Sequence, residues 1–173
     1  MPTSYQAPMV GDKDDDATVS QSLETNLKSA PGTVQTVLRS KGNEVITIIE
    51  SATLQQAVEV LRDKRIGALI VVDDAGALCG ILSERDIVRK LADTPGQTLP
   101  QSVAENMTRK VETCQPDEAL INVLKRMSEG RFRHMPVLDG DKLVGMVTIG
   151  DVVNFRLTEV EHEALQLKQL IVG

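Results

Sequence analysis

The feature that most constrains the fold of this chain is an internal duplication. Two stretches recur at an offset of 66 residues, and a third recurs at an offset of 65. The matching segments are 45–47 with 111–113, 50–61 with 116–127, and 72–86 with 137–151. The change of offset indicates that the second copy has lost one residue, and we place that loss where a helix meets a strand. The fold is therefore built from two copies of one supersecondary unit.

Each copy is predicted to form a β-α-β-β-α unit. In the first copy, Leu54, Ala57, Val58 and Leu61 follow the i, i+3, i+4, i+7 spacing of a helix with one apolar face. The other predicted elements are short strands at 45–49 and 111–114, buried strands at 68–72 and 135–138, hairpin strands ending at Leu82 and Val147, and closing helices beginning at Ser83 and Thr148. Because one unit is too small for a secure core, we predict an α/β fold of the α+β type in which the two units pack with pseudo-two-fold symmetry.

The chain divides into five predicted parts. They are an acidic, flexible tail at 1–33, a first domain at 34–92, a linker at 93–102, a second domain at 103–157 and a helical extension at 158–173. Within the tail, the acidic run at 12–16 resembles the start of a calcium-binding loop. Ala17 and Leu23 stand where that loop needs glycine and glutamate. A solvated acidic tail is therefore the preferred interpretation.

The last helix is predicted to be long and to carry an apolar seam. The seam residues alternate spacings of 4 and 3, and they are Val153, Leu157, Val160, Ala164, Leu167 and Ile171. Two interpretations stay open, because about three heptads is the shortest run that supports a coiled coil. The helix packs on its own domain, or the seam forms a contact between two copies. We expect a homodimer.

Charge and aromatic content argue against nucleic acid as a partner. The formal net charge is −6, whereas binding to a polyanion rests on basic side chains. The chain has three aromatic residues, Tyr5, Phe132 and Phe155, and so offers few rings on which bases could stack. A local group of arginines could still bind a small anion.

Membrane and metal functions are also disfavoured. The longest apolar run, at 66–72, is far shorter than the roughly 20 residues of a membrane helix, and the N-terminus lacks the pattern of a signal peptide. Two cysteines, Cys79 and Cys114, lie 35 positions apart without a CxxC motif, so we expect no bound metal. With no evident disulfide framework, we expect a cytoplasmic protein.

A repeated motif is the first candidate for a binding function. Residues 80–86 and 145–151 share the pattern G-h-h-[ST]-x-x-D, where h is apolar. One interpretation is structural: Ser83 and Thr148 cap the following helices, with an acid three residues later. The other is functional, since a carboxylate at a helix N-terminus can accept ribose hydroxyls beside backbone N–H groups that suit a phosphate.

A basic cluster precedes the second buried strand. Arg131, Arg133 and His134 gather three groups that can carry positive charge, and the planar guanidinium matches phosphate oxygens. Arg85 lies within the first motif where Gly150 stands in the second, so the two copies are not equivalent. No pair of a nucleophile and a base emerges from the sequence, so we do not expect an enzyme.

These elements resemble a tandem pair of cystathionine β-synthase (CBS) domains, a Bateman module of the small stand-alone bacterial type. The resemblance covers about residues 34–157 and is carried by the two motifs and the basic strand entry. It implies that the motif hydroxyls and acids face ribose, that the basic cluster faces phosphate, and that Lys41 is a weaker phosphate contact. It also implies an adenine nucleotide ligand, AMP first, with ATP, NAD(H) or S-adenosylmethionine as alternatives. Such modules usually regulate a partner protein and perform no chemistry.

The first copy departs from the family pattern. It has 70–72 where the second has 135–137, and it lacks the Arg-x-Arg-His run, which weakens the expectation of a phosphate site there. The candidate nucleotide-binding residues are Lys41, Val45, Ser83, Arg85, Asp86, Val111, Arg131, Phe132, Arg133, His134, Pro136, Thr148 and Asp151. Among these, Val45 and Val111 are expected to form aliphatic walls for the base. The alternative function is a dimeric scaffold in which the motifs are only helix caps.

Overall fold

The computed structural model of the protein describes residues 32–42 and 44–172. The acidic run at 12–16 and most of the predicted tail lie outside the described residues. In chain order the elements are α1 (Val34–Lys41), β1 (Thr47–Ile49), α2 (Leu54–Lys64), β2 (Ala68–Val72), β3 (Leu78–Ser83), α3 (Glu84–Asp93), α4 (Val103–Asn106), α5 (Leu120–Gly130), β4 (His134–Asp139), β5 (Lys142–Thr148) and α6 (Ile149–Val172). The predicted α+β duplication with a long C-terminal helix is confirmed.

The first sheet is centred on β2. Strand β1 runs parallel to it and β3 runs antiparallel, with Leu69 opposite Leu82. All five residues of β2 are buried, which confirms the predicted buried strand at 68–72. Such a run of large and β-branched apolar residues suits the middle of a sheet.

The helix before β2 follows the predicted pattern except at one residue. Leu54, Ala57 and Leu61 are buried on one face of α2. Val58, which was expected on the same face, is 37% exposed, so the prediction is wrong there. Its position at the edge of the apolar stripe leaves it outside the packed core.

In the described ranges, 32–42 and 44–172, the second sheet consists of β4 and β5. The predicted strand at 111–114 is wrong: Cys114 alone forms an isolated parallel bridge, with Val137. The physical reason lies on the partner strand. In the first copy the backbone N–H of Ile70 donates to the carbonyl of Ile46, which extends the parallel ladder towards the start of the strand. The corresponding residue of the second copy is Pro136, which has no N–H to donate, so the pairing does not extend beyond Cys114.

Strand register corrects the position of the lost residue. Gly80 pairs with Val71, and Gly145 pairs with Val137. The two glycines are 65 positions apart and the two valines 66, so the offset changes within the hairpin turn. The placement of the loss between a helix and a strand was wrong. A turn on the surface can absorb a deletion because few packing contacts depend on its length.

Two hydrophobic clusters form the core, one for each unit. Helix α1, which precedes the first unit, buries Val34, Val37 and Leu38 in the cluster of the second unit. The α4 segment, which precedes the second unit, contributes Val103 and Met107 to the cluster of the first. Each core is therefore completed by the segment that precedes the other unit, so neither unit is closed alone.

The same exchange explains the glycine that opens each motif. A Cβ atom on Gly145 would lie 2.7 Å from the Cδ2 atom of Leu38, and one on Gly80 would collide with the sulfur atom of Met107. A side chain at either position would push away the segment that completes the core.

Helix α6 packs on the core at its start. Val152 is fully buried, and Phe155 packs against the second cluster. Along the seam, Leu157 is 57% exposed and Ile171 is 83% exposed. Within the part of the chain that the structure describes, packing on its own domain therefore accounts for the first turns of the helix and leaves the rest of the seam exposed.

Candidate functional site

Both motif hydroxyls cap the helices that follow them. The Oγ atom of Ser83 accepts from the backbone N–H of Asp86 at 3.3 Å, and the Asp86 carboxylate accepts from the backbone N–H of Ser83 at 3.0 Å. Thr148 and Asp151 repeat this geometry at 3.1 and 2.8 Å. The structural interpretation of the motif is thus realised twice, as a capping box.

The caps leave acceptor capacity on the carboxylates. In the described part of the chain, the recorded hydrogen bonds to Asp86 end on Oδ2, including one of 2.6 Å from the Ser83 hydroxyl. A carboxylate has two acceptor oxygens. The Oδ1 atom of Asp86 is therefore the acceptor that a ligand hydroxyl would meet, and capping and binding are compatible.

Two of the cavities in the described part of the chain border the repeated motifs. The first, called here the Ser83 cavity, has a volume of about 220 Å³. It lies between the first motif and the entry to β4. Its polar and charged lining is Ser83, Glu84, Arg85, Asp86, Arg89, Thr108, Lys110, Glu112, Arg131, Arg133 and His134, and its apolar lining includes Ile81, Val111 and Phe132. Residues from both repeats therefore build one cavity.

The Ser83 cavity concentrates positive charge in an acidic protein. Five of its lining side chains are cationic at neutral pH, although the whole chain carries a net charge of −6. One of its acids, Glu112, is already paired with Arg126 at 2.7 Å. The lining thus has more basic than acidic side chains, a composition that favours an anion, with a hydroxyl and a carboxylate at one side.

The second cavity, called here the Thr148 cavity, has a volume of about 290 Å³. It brings together Lys41, Val45 and Thr148, with Ile46, Arg65 and Met146 among the other lining residues. It is the counterpart of the Ser83 cavity with the roles of the two repeats exchanged. Its charge differs, because only two of its lining side chains are cationic at neutral pH.

The acid of the second motif is already engaged by a cation. The ammonium of Lys41 donates to Oδ2 of Asp151 at 2.6 Å, and their side chains are 32% and 23% exposed. Lys41 was expected near phosphate, and the structure holds it on the carboxylate expected to meet ribose. At the offset of 66 the counterpart of Lys41 is Met107, which is uncharged and buried in the first core cluster. The two carboxylates therefore differ in their surroundings.

His134 lines both cavities. Burial is the main cause that lowers its pKa below the ordinary value of 6.5, and Lys41 and Arg133 lower it further, while Glu84 and Asp151 oppose the shift. The imidazole is therefore mostly neutral at neutral pH. At either cavity it would therefore act as a neutral hydrogen-bonding group and not as the cation that the sequence suggested.

The structure sorts the candidate residues into two groups. The Ser83 cavity gathers eight of them: Ser83, Arg85, Asp86, Val111, Arg131, Phe132, Arg133 and His134. Lys41, Val45 and Thr148 line the other cavity, and Asp151 joins them through its ion pair with Lys41. Pro136 lines neither of these two cavities. It is buried in β4, where its carbonyl accepts from the backbone N–H of Cys114 at 3.1 Å.

Sequence reasoning missed Arg65, Arg89 and Lys110. Arg65 and Arg131 both follow a helix and both adopt a left-handed backbone conformation, with φ of 54° and 56°. They are 66 positions apart, so Arg65 is the counterpart of Arg131. Extending that offset through the end of the helix would have found it. The first copy thus keeps one arginine of the basic run.

Two further classes of site find no support in the described part of the chain. No group of three or more His, Cys, Asp or Glu side chains is arranged to hold a metal ion there. Among the described helices, none combines the length and the apolar character that crossing a bilayer requires.

Comparison with known proteins identifies both repeats. The family model for the CBS domain matches residues 38–93 and 102–158. CBS domain-containing protein CBSX3, mitochondrial, from Arabidopsis thaliana is 32% identical over 82% of this chain and 72% of its own length. Other curated relatives are longer, and the chain spans 23% to 38% of their length.

Solved structures agree with the fold. The CBS-domain containing protein ATU1752 from Agrobacterium tumefaciens is 37% identical, with a TM-score of 0.71 over 72% of this chain and 99% of that chain. The CBS domain pair of protein MJ0100, solved in complex with 5′-methylthioadenosine and S-adenosyl-L-methionine, is 28% identical, with a TM-score of 0.66 over 75% and 98% of the two chains.

Proposed function

The chain belongs to the CBS-domain family as a tandem pair, and from that premise we propose that it is a regulatory module that binds an adenine nucleotide. AMP is the first candidate, with ATP, NAD(H) and S-adenosylmethionine as alternatives. Occupancy of the cavities would change the conformation of the pair and thereby control a partner protein. That the MJ0100 pair was solved with two adenosine compounds supports an adenosine-type ligand.

The observation that carries this proposal is the charge of the Ser83 cavity. Five cationic side chains surround a cavity that also presents the Ser83 hydroxyl and the Asp86 carboxylate. The cationic side chains alone would be enough to bind free phosphate. A carboxylate beside them would repel phosphate unless it faces a neutral, hydroxyl-bearing part of the ligand, and a ribose supplies that part.

The lining suggests how a nucleotide would lie. The ribose hydroxyls would donate to Asp86, and the phosphate would meet Arg131 and Arg133. The base would lie against the aliphatic side chains of Val111 and Ile81. AMP fits this division best because it has one phosphate group for one arginine cluster.

Titration of the purified chain tests the proposal. We expect AMP to bind in isothermal titration calorimetry and Arg133→Gln to weaken binding about tenfold or more, because a charge-assisted hydrogen bond contributes about 1.5–3 kcal/mol. Arg39→Gln is the matched control, since Arg39 is exposed on α1 and lines neither cavity. Absence of binding by AMP, ATP, NADH and S-adenosylmethionine would refute the nucleotide function.

A scaffold function is the second candidate, favoured by one observation. Both motif acids already serve their helix caps, so the motifs are explained without a ligand. Asp86→Ala separates the two functions. A binding module should lose its affinity for AMP together with about 1 kcal/mol of stability, whereas a scaffold should show only the loss of stability.

We further propose that the protein binds its ligand without converting it, and that it acts in the cytoplasm. Cys79 and Cys114 are free cysteines, and burial raises the pKa of the Cys114 thiol to about 12, which suits an inert thiol in a reducing compartment. Chromatography of ATP after prolonged incubation with the protein checks the first point. Stoichiometric recovery is expected, and steady release of ADP or AMP would contradict it.

A further inference from the structure

Among the described residues, the seam of α6 beyond its first turns is an exposed apolar surface. From Val153 to Ile171 the helix is about 28 Å long at 1.5 Å per residue. Val153 is 42% exposed, Val160 is 55% exposed and Leu167 is 47% exposed. Six such positions in one stripe exceed the scattered apolar residues of an ordinary surface.

The spacing of the seam assigns a heptad register. Val153, Val160 and Leu167 take position d, and Leu157, Ala164 and Ile171 take position a. The flanking positions then carry charges. Position g holds Arg156, Glu163 and Leu170, and position e holds Asn154, Glu161 and Lys168. The four charged side chains among them are exposed.

These charges select one orientation of two helices. In a parallel, in-register pair, each g residue faces the e residue five positions later on the other helix. Arg156 then faces Glu161 of the second copy, and Glu163 faces Lys168 of the second copy. Both pairs are attractive, and two-fold symmetry makes four. Arg156 also donates to Glu159 of its own helix at 2.7 Å, so the Glu163–Lys168 pair carries the clearer signal.

The antiparallel orientation opposes like charges. The seam is symmetric in spacing about residue 162, so full overlap of two reversed helices places Val153 against Ile171 and Leu157 against Leu167. Reversal also brings e against e and g against g. Glu161 then faces Glu161, and Glu163 faces Glu163, at the centre of the contact.

We propose that α6 binds α6 of a second copy of this chain as a parallel, in-register two-helix coiled coil. The contact uses the seam and the two g–e pairs and does not depend on a nucleotide. It places the two C-termini side by side, and Ala164 at a central a position lets the helices approach closely. This inference stands apart from the nucleotide function, because the contact can be measured on ligand-free protein.

Charge reversal of the full-length chain tests the orientation. Lys168→Glu should raise the dimer dissociation constant about tenfold in analytical ultracentrifugation, because two attractive pairs become repulsive. Glu163→Lys should do the same, and Glu163→Lys with Lys168→Glu should restore the dimer. Lys142→Glu, with the same charge change at an exposed position of β5, is the control.

Three results would overturn the proposal. A dissociation constant that Lys168→Glu leaves unchanged would mean that an antiparallel contact or another surface holds the copies together. If the double variant does not recover association, Glu163 and Lys168 do not pair between the two helices. A full-length chain that stays monomeric at its highest soluble concentration would show that the seam does not bind a second copy.

A cysteine introduced at a d position tests independently whether the two helices are parallel or antiparallel. In Leu167→Cys the two introduced thiols would face each other in the parallel pair and should form a disulfide within the dimer under mild oxidation. In the antiparallel pair they would be about 15 Å apart along the axis and could not. Burial raises the pKa of both native thiols, Cys79 and Cys114, so the unsubstituted chain is a low-background control.

Discussion

Replacing Lys41 with methionine tests how the Thr148 cavity tells charged from uncharged ligands. The Lys41 ammonium lies 2.6 Å from the Asp151 carboxylate, which is the expected ribose acceptor of that cavity. Methionine keeps most of the length of the side chain and removes the charge. It is also the residue that the repeat places at the corresponding position, Met107.

The magnitudes follow from the exposure of the pair. Side chains that are 32% and 23% exposed form a partly solvated ion pair, so its loss should lower the free energy of unfolding by about 0.5–1 kcal/mol. To bind a phosphate, Lys41 must leave Asp151, and the new charge-assisted contact is worth about 1.5–3 kcal/mol. Lys41→Met should therefore weaken AMP binding in this cavity about fivefold to thirtyfold.

The affinity for adenosine should change in the opposite direction when Lys41 is replaced by methionine. Without the ammonium, the Asp151 carboxylate keeps its full negative charge for the ribose hydroxyls, and adenosine should bind about fivefold tighter. Calorimetry with both ligands in an Arg133→Gln background, which weakens the other cavity, gives the ratio of their affinities. Lys142→Met is the control. If the ratio of AMP to adenosine affinity does not change, Lys41 does not act at this cavity and the reasoning is wrong.

Three further changes test the caps, the shared histidine and the motif glycine. Ser83→Ala removes the acceptor for the Asp86 backbone N–H and should cost about 1 kcal/mol in chemical unfolding, and a loss under about 0.2 kcal/mol would contradict the capping geometry. Burial lowers the pKa of His134 below 6.5, so the unfolded chain takes up its proton first and stability should fall as the pH drops through about 6.5. His134→Gln should remove that part of the slope in urea midpoints measured from about pH 7.5 to about pH 5.5, and an unchanged slope would assign it to other groups. Gly80→Ala should cost about 1–3 kcal/mol, and less when Met107 is also alanine, whereas equal costs in both backgrounds would show that the two sites do not touch.

The duplication made much of the fold predictable. The two copies predict the same order of helices and strands. The apolar run at 68–72 indicates a buried strand by its composition alone, whatever the neighbouring strands are. The first strand of the second copy was predicted wrongly for a physical reason. Its ladder would need a backbone N–H at residue 136, where Ile70 supplies one in the first copy, and Pro136 has none. The repeat alone does not show which residue of the neighbouring strand must donate.

The sequence predicted many of the residues that line the candidate site, but it did not predict which of them share a cavity. The motifs named Ser83 and Thr148, and the basic run named Arg131 and Arg133. Which motif shares a cavity with which basic residue depends on how the two units pack, and the sequence has no signal for that. The first motif lies with the basic run of the second copy. The error at Arg65 came from the wrong position of the deletion.

The register correction changes how the two cavities should be compared. With the deletion in the hairpin turn, Arg65, Gly67 and Ala68 are the counterparts of Arg131, Arg133 and His134. The first copy thus keeps one cation of the basic run and replaces the other two groups with small residues. Those replacements leave room for the imidazole of His134, which lies 3.5 Å from the position of a Cβ atom on Gly67.

His134 is therefore the point at which the two cavities depend on each other. A Cβ atom on Gly67 would meet the imidazole at ordinary van der Waals distance, so the glycine leaves space beside the ring. A ligand that moved the imidazole from one side would change the lining of the other side. Ala68 stands at the corresponding position of the first copy, so this dependence follows from the difference between the two repeats.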